Sequence, residues 1–217
     1  VTAITDQLRE SSVRRIEDIQ AFAPNLYINR TPGIGSGAAI TIRGVASLES
    51  DKSYEPSIGV VMDGMFLGTS SGVLLDNFDI ERIEVLRGPQ GTLFGKNTTG
   101  GILNIIRTPV SLDEVGADLS VTIGDFGRQD IKAVIQIPII EDTLGVKLFA
   151  ASIEHDGHVY NTYSNKSAGG DDKKNYGFTA LWEPNENFSL KVHHEIMEDN
   201  SEQGVYVNRN PVGILAC

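Results

Sequence analysis

Four histidines, one cysteine and two glycine-rich stretches are the places where this sequence could do chemistry. His193 and His194 are adjacent, and His155 and His158 are three apart. Neighbouring side chains on a strand point to opposite faces, so His193 and His194 cannot chelate one ion together. His155 and His158 fall at a strand end and read as rim residues. The single cysteine, Cys217, offers neither an intrachain disulfide nor a cysteine-based zinc site. Gly88, Gly91 and Gly95-Lys96 imitate a phosphate-binding loop, but Gln90 stands where that loop needs glycine and Asn97 where it needs Ser or Thr. Gly33, Gly35 and Gly37 lack the spacing and the βαβ setting of a dinucleotide loop. No serine occupies a Gly-x-Ser-x-Gly elbow, and Asp171-Asp172-Lys173-Lys174 reads as a solvated loop tip. The expectation is a protein that is not an enzyme and needs no metal and no cofactor.

The charges that matter are inside apolar runs. Glu81, Arg82, Glu84 and Arg87 surround a strand-like stretch, and Arg43 ends another just before Gly44. A buried arginine must meet a carboxylate, because an unpaired charge in a core is very costly. Two readings stay open: a local surface salt-bridge set, or arginines that dock onto acids supplied by another body of structure. The net charge of −11 disfavours nucleic acid as a partner, since such binding relies on a basic surface.

The elements that position these residues change character near Pro109. Residues 1 to about 110 read as compact α+β. Asp6 to Glu10 reads as a short helix. Val13, Ile16, Ile19 and Ala23 follow helical spacing, with Ser12 as N-cap and Pro24 as the stop. Ala39 to Gly44, Ile80 to Leu86 and Ile102 to Thr108 read as strands. Asp63-Gly64 between apolar runs predicts a hairpin, because both central residues of a type I′ turn need positive φ. From about residue 111 to 217 the pattern is strict alternation: Leu119/Val121/Ile123, Ile131/Ala133/Ile135/Ile137, a mixed run over 143 to 155, Tyr176/Phe178/Ala180/Trp182 and Phe188/Leu190/Val192. About five strands of period two are expected, joined by short turns at Ile139 to Asp142 and Pro184 to Asn187 and by a long polar loop at Gly157 to Lys173. Alternation of this kind fits a membrane barrel, and it equally fits a soluble antiparallel sheet with one wet face.

The order Ile42-Arg43-Gly44, the Asp63-Gly64 hairpin, Ile80-Glu81-Arg82-Ile83-Glu84-Val85-Leu86-Arg87-Gly88-Pro89, Leu93-Phe94-Gly95 and Gly100-Gly101-Ile102-Leu103-Asn104-Ile105-Ile106 resembles the plug of TonB-dependent outer-membrane receptors. The resemblance runs from about residue 1 to 109, and alternating strands begin where that family's barrel begins. It implies an N-terminal plug domain (1–110) followed by the first part of a transmembrane β-barrel (111–217) that has roughly 22 antiparallel strands when complete. Five strands cannot close a barrel, whose smallest outer-membrane form has eight. The sequence is therefore expected to be the N-terminal part of a longer receptor, unless several chains share one barrel.

The resemblance also implies a function: uptake of a scarce nutrient, such as a ferric siderophore or another large ligand, with the plug gating the barrel and TonB supplying energy. TonB would act through a TonB box that this sequence does not contain. The alternative is a non-transporting signalling or adhesin receptor with the same plug. Location in the outer membrane, contact with its lipid and a small-molecule or metal-chelate ligand are implied with it. Arg43 and Arg87, with Glu81 and Glu84 in the same strand system, correspond to the lock between plug and barrel, in which the arginines meet barrel glutamates. The outward plug loops would be about Asn29 to Gly37, Ser47 to Glu55 and Leu67 to Gly72. They supply Arg30, Glu49, Asp51, Lys52, Tyr54 and Ser70 as candidate ligand contacts.

Overall fold

A computed structural model describes residues 2–5, 16–30, 37–46, 56–68, 78–162 and 165–202. Two small sheets come first. One contains β1 (Thr2–Ile4), β5 (Ile58–Met62), β6 (Met65–Leu67), β7 (Ile80–Arg87) and β8 (Gly101–Arg107) in the order β1-β7-β8-β5-β6. The other contains β2 (Leu26–Arg30), β3 (Ala38–Ile42) and β4 (Val45–Ala46). The pairing of β5 with β8 is parallel and that of β7 with β8 antiparallel. Strand β5 reads Ile-Gly-Val-Val-Met without alternation because both of its faces are covered, and every one of its residues is buried.

The core of this part joins Ile4, Ile19, Ile28, Ile42, Val60, Ile83 and Leu103 across both sheets. The Asp63–Gly64 turn forms as expected, with φ of 47° and 84°. Within the helical spacing from Val13 to Ala23, Ile16–Ala21 forms a 3₁₀ helix, and Val13 lies outside the described residues. A helix this short has little intrinsic stability in water, and burial of Ile16 and Ile19 holds it in place. The expected helix at Asp6 to Glu10 and the Ser12 cap lie outside the described residues. A four-residue helix α1 (Gly91–Phe94) fills the connection between β7 and β8.

The second part is an antiparallel wall of β9 (Gly116–Gly124), β10 (Arg128–Ile140), β11 (Leu144–His155), β14 (Asp171–Asn185) and β15 (Phe188–Asp199), in the order β15-β14-β11-β10-β9. These are the five alternating runs of the sequence, extended at their ends. The long loop after β11 carries a small hairpin of β12 (Val159–Asn161) and β13 (Lys166–Ala168).

Alternation divides the wall cleanly. Val121, Ile131, Ile135, Leu148, Phe178, Trp182, Leu190 and Val192 are exposed on the outer face. Phe149, Ala151, Ile153 and Thr179 are buried on the inner face, where the first part packs. At the short-turn end the Trp182 and Phe188 rings meet edge to face, 5.5 Å apart. Toward the other end the outer positions become Glu154, Lys174 and Glu198. An apolar outer band with aromatics at one border is what a strand wall in lipid requires. No helix among the described residues is long and apolar enough to cross a membrane.

Candidate functional site

The chemistry of this chain is concentrated on the seam between the two parts. Lys147 sits between Val146 and Leu148 on β11. Alternation turns its neighbours outward and Lys147 inward, where it is 1% exposed. Its ammonium donates to Asp79 Oδ2 at 2.5 Å, to the Thr108 carbonyl at 2.6 Å and to Thr108 Oγ1 at 3.3 Å. An ammonium has three donors, and each one finds an acceptor. Asp79, in the turn before β7, has φ of 55°. Its backbone carbonyl accepts from Thr108 N–H, and its Oδ1 accepts from the Thr108 hydroxyl. A cation of the wall thus closes on a carboxylate of the first part that is already fixed by its own strand pair.

One row along, Arg107 at the end of β8 reaches the wall in the opposite sense. Its Nη2 donates to both oxygens of Glu195 on β15, at 2.8 and 2.7 Å, and its guanidinium lies 5.5 Å from the centre of the Phe149 ring. Nη1 lies 3.2 Å from His193 Nε2, and Nη2 contacts Met62 Sδ at 3.1 Å. Its backbone N–H donates to Asp63 Oδ1 at 3.0 Å, which ties the hairpin turn to the end of β8. Low dielectric strengthens these pairs and makes any unpaired member costly.

The sequence-derived lock residues are distributed differently. Glu81 and Glu84 do not face the wall: Arg82 Nη1 donates to Glu81 Oε1 and Arg82 Nε to Glu84 Oε1, both at 2.8 Å. Asn104 Nδ2 on β8 donates to Glu84 Oε2 at 2.9 Å. The Arg82 hydrogen bond first, then that of Asn104, holds the Glu84 carboxyl below the ordinary glutamate range. A depressed folded-state pKa gives stability that is present above the unfolded value and lost as pH falls through the folded one. Glu84→Gln is therefore expected to lose less stability of the first part than the parent when pH drops from about 7 to about 3. Thermal unfolding of this part at both pH values checks this; equal losses would exclude a role for Glu84.

Arg43 is exposed, with φ of 53°, and its N–H donates to the Asn25 carbonyl. Arg87 is half-buried at the end of β7, and its Nε and Nη2 are buried with no hydrogen-bond partner among the described residues. Arg30 ends β2, paired with Ala38. Glu49, Asp51, Lys52, Tyr54 and Ser70 lie outside the described residues. His193 and His194 do face opposite ways: His193 stacks on Phe149 on the inner side at 5.7 Å, and His194 packs by Phe178 on the outer side at 6.0 Å. His155, the last residue of β11, contacts Asp171 at 3.1 Å. Among the described residues no group of three His, Cys, Asp or Glu could hold a metal ion.

Lys147, Asp79, Thr108, Arg107 and Glu195 were not signalled by local spacing. The one available clue was phase: Lys147 and Glu195 occupy inward positions of alternating strands, where a lone charge needs an explanation.

Comparison with known proteins fits this geometry. Residues 1–102 match the TonB-dependent Receptor Plug Domain model. The chain is 33% identical over 100 residues to the pesticin receptor of Yersinia pestis, covering 46% of this chain and 14% of that protein. It is 26% identical over 134 residues to the vitamin B12 transporter BtuB of Vibrio vulnificus, covering 59% and 21%. Its fold matches the ferric yersiniabactin uptake receptor FyuA from Yersinia pestis with a TM-score of 0.75 at 24% identity, over 85% of this chain and 29% of that one. The pyoverdine receptor FpvA of Pseudomonas aeruginosa matches with a TM-score of 0.72 at 16% identity, over 91% and 27%. The chain thus spans less than a third of each of these proteins. With the plug model matched over residues 1–102 and the wall strands in place behind it, the first part of the chain belongs to the plug domains of the TonB-dependent receptors of the bacterial outer membrane, and the wall has the fold of the first strands of their barrel.

Proposed function

We propose that the chain forms the gate and the first wall strands of a receptor that takes a scarce nutrient, a ferric siderophore or another large ligand, across the outer membrane with energy from TonB. The observation that carries this reading is the buried ionic seam of Lys147–Asp79 and Arg107–Glu195. It seats a small mixed sheet against the inner face of a lipid-exposed wall, as a gate must be seated. Uptake of ferric yersiniabactin by one structural neighbour and transport of vitamin B12 by one sequence relative support the nutrient class. In this reading residues 1–110 are the plug and 111–217 the start of the barrel. The ligand contacts proposed with it are Arg30, Glu49, Asp51, Lys52, Tyr54 and Ser70.

Growth on a panel of ferric siderophores and cobalamin, with and without the receptor and with and without TonB, tests the proposal. Growth on one ligand that needs both proteins supports it. Binding of a ligand that never accumulates in the cell replaces transport with the signalling or adhesin alternative.

Arg87, with two buried nitrogens that find no hydrogen-bond partner among the described residues, is proposed with Arg43 to meet carboxylates of the barrel. A charged group left without a partner in low dielectric is strongly unfavourable, so this side chain is expected to be paired in the closed receptor. Arg87→Ala should raise passive leak of small antibiotics through the channel. Unchanged leak together with unchanged thermal stability would remove Arg87 from the lock.

A further inference from the structure

We infer that the inner face of the wall carries a binding site for a guanidinium group, built by Phe149, Gly177, Glu195 and Asn175, which Arg107 occupies while the plug is seated and which a second guanidinium can fill when Arg107 is gone. The inference rests on the plug being the gate of this receptor and adds what kind of group the gate's seat accepts. It starts from strand register. Phe149 on β11 pairs with Gly177 on β14, and Gly177 pairs with Glu195 on β15. The three form one inward row across strands that lie about 4.8 Å apart. The middle position has no side chain, and the Phe149 ring leans across it. A Cβ on Gly177 would lie 2.8 Å from Phe149 Cζ and would collide with the His194 carbonyl. An aromatic plane is thus laid along the wall, with a carboxylate on the strand beyond it.

That plane is held from both bodies of structure. His193 stacks on the ring with centroids 5.7 Å apart and planes 12° apart. Phe78, in the turn before β7, meets it edge-on at 6.3 Å. Arg107 uses the arrangement as a planar cation can: its Cζ lies 5.5 Å from the ring centre while Nη2 holds both oxygens of Glu195. A lysine ammonium is a compact, strongly hydrated point charge. It can meet the carboxylate, but it has no plane to lay over the ring. The row therefore selects by shape as well as by charge.

A second feature shows that Arg107 does not use the whole site. A cavity of about 50 Å³ borders the Arg107–Glu195 pair, with Met62, Phe78, Ile105 and Met197 among its apolar lining. Asn175, two residues from Gly177 on the same face of β14, lines it as well. Its Oδ1 is buried with no hydrogen-bond partner among the described residues, and a buried acceptor without a donor is unfavourable. Arg107 is tethered to β8 and spends its Nη2 on Glu195, so it leaves this acceptor unmet. A free guanidinium carries N–H donors on all three nitrogens. It can satisfy Glu195 and turn a further N–H toward Asn175 Oδ1. Asp63 Oδ2 lies 3.9 Å from Arg107 Nε, so an ion in the same place would stand between acceptors of the wall and of the plug and hold the two together.

The test uses the intact receptor in detergent, and hydrogen exchange of residues 101–108 reports how well β8 is seated. Arg107→Ala vacates the site and should open β8 about tenfold more often than in the parent. Guanidinium chloride, added far below denaturing concentrations, should restore most of the protection. Methylammonium chloride at the same ionic strength should not. With Phe149→Leu added to Arg107→Ala, half-restoration should need about tenfold more guanidinium, because the ring face is lost while apolar bulk stays. Arg107→Lys is measured beside these without any added ion; it keeps a charge for Glu195 and should still lose most of the protection. Equal rescue by methylammonium, or no rescue by guanidinium, overturns the inference. So does parent-like protection in Arg107→Lys, which would mean that Glu195 reads charge alone. Failure here leaves transport untouched, which the siderophore growth assay reads separately.

Discussion

Lys147→Met is expected to unseat the plug. Methionine fills most of the volume, but Asp79 keeps a negative charge at a site where its side chain is 3% exposed. Removing one partner of a buried ion pair costs about 3–5 kcal/mol, because the surviving charge has neither water nor a counter-ion. Thr108 cannot compensate, since its hydroxyl already donates to Asp79 Oδ1. The temperature at which trypsin clips the plug in outer-membrane vesicles should therefore fall steeply in the single variant. Asp79→Asn combined with Lys147→Met removes both charges and keeps the Thr108 hydrogen bond, so it should cost only about 1–2 kcal/mol. A double variant that is worse than the single one, or a single variant indistinguishable from the parent, would show that the pair does not hold the seam.

Gly101→Ala should disable the plug from within. Gly101 has φ of 143°, and an added Cβ would lie 2.4 Å from the Leu86 carbonyl oxygen and 3.1 Å from Ile42 Cδ1. The clash is with backbone in the partner strand, because Gly101 pairs with Arg87 on one side and Ile58 on the other. Relief requires separating β7 from β8 at the position that aims Arg87. Strain at such a φ and overpacking each cost about 1–3 kcal/mol, so a combined loss of about 3 kcal/mol or more is expected. Gly64→Asn is the matched control. Its φ is 84°, a Cβ there meets nothing within 4 Å, and asparagine tolerates the left-handed region. Protease resistance of the plug should drop in the first variant and stay near the parent in the second. Equal behaviour of the two would refute the steric argument.

Features encoded by near neighbours were legible in the sequence. The Asp63-Gly64 turn is a two-residue signal, and the wall strands announce themselves by period-two alternation. The separation of His193 from His194 follows from the same periodicity. The seam was not legible because its partners are far apart in the chain: Lys147 meets Asp79 across 68 positions and Arg107 meets Glu195 across 88. Proximity drew attention instead to Glu81, Arg82 and Glu84, which pair among themselves. Within the helical spacing from Val13 to Ala23, the described turn over Ile16–Ala21 is wound more tightly than an α-helix, with Ile16 and Ile19 buried against the core. The proposed ligand contacts are the least legible part, since isolated polar residues such as Asp51 and Lys52 carry no periodicity to read.

The outer face of the wall has a consequence for how such a receptor must be made. Strands β9 and β15 are the two edges of the five-strand wall, and the face between them shows Leu119, Val121, Ile131, Phe178 and Leu190 to whatever surrounds it. Until those edges find their neighbours, unpaired backbone groups lie beside a sticky apolar surface, the combination that templates aggregation. Passage of this stretch through an aqueous compartment is therefore hazardous, and it calls for an escort that covers both the edge and the face until the wall closes in lipid.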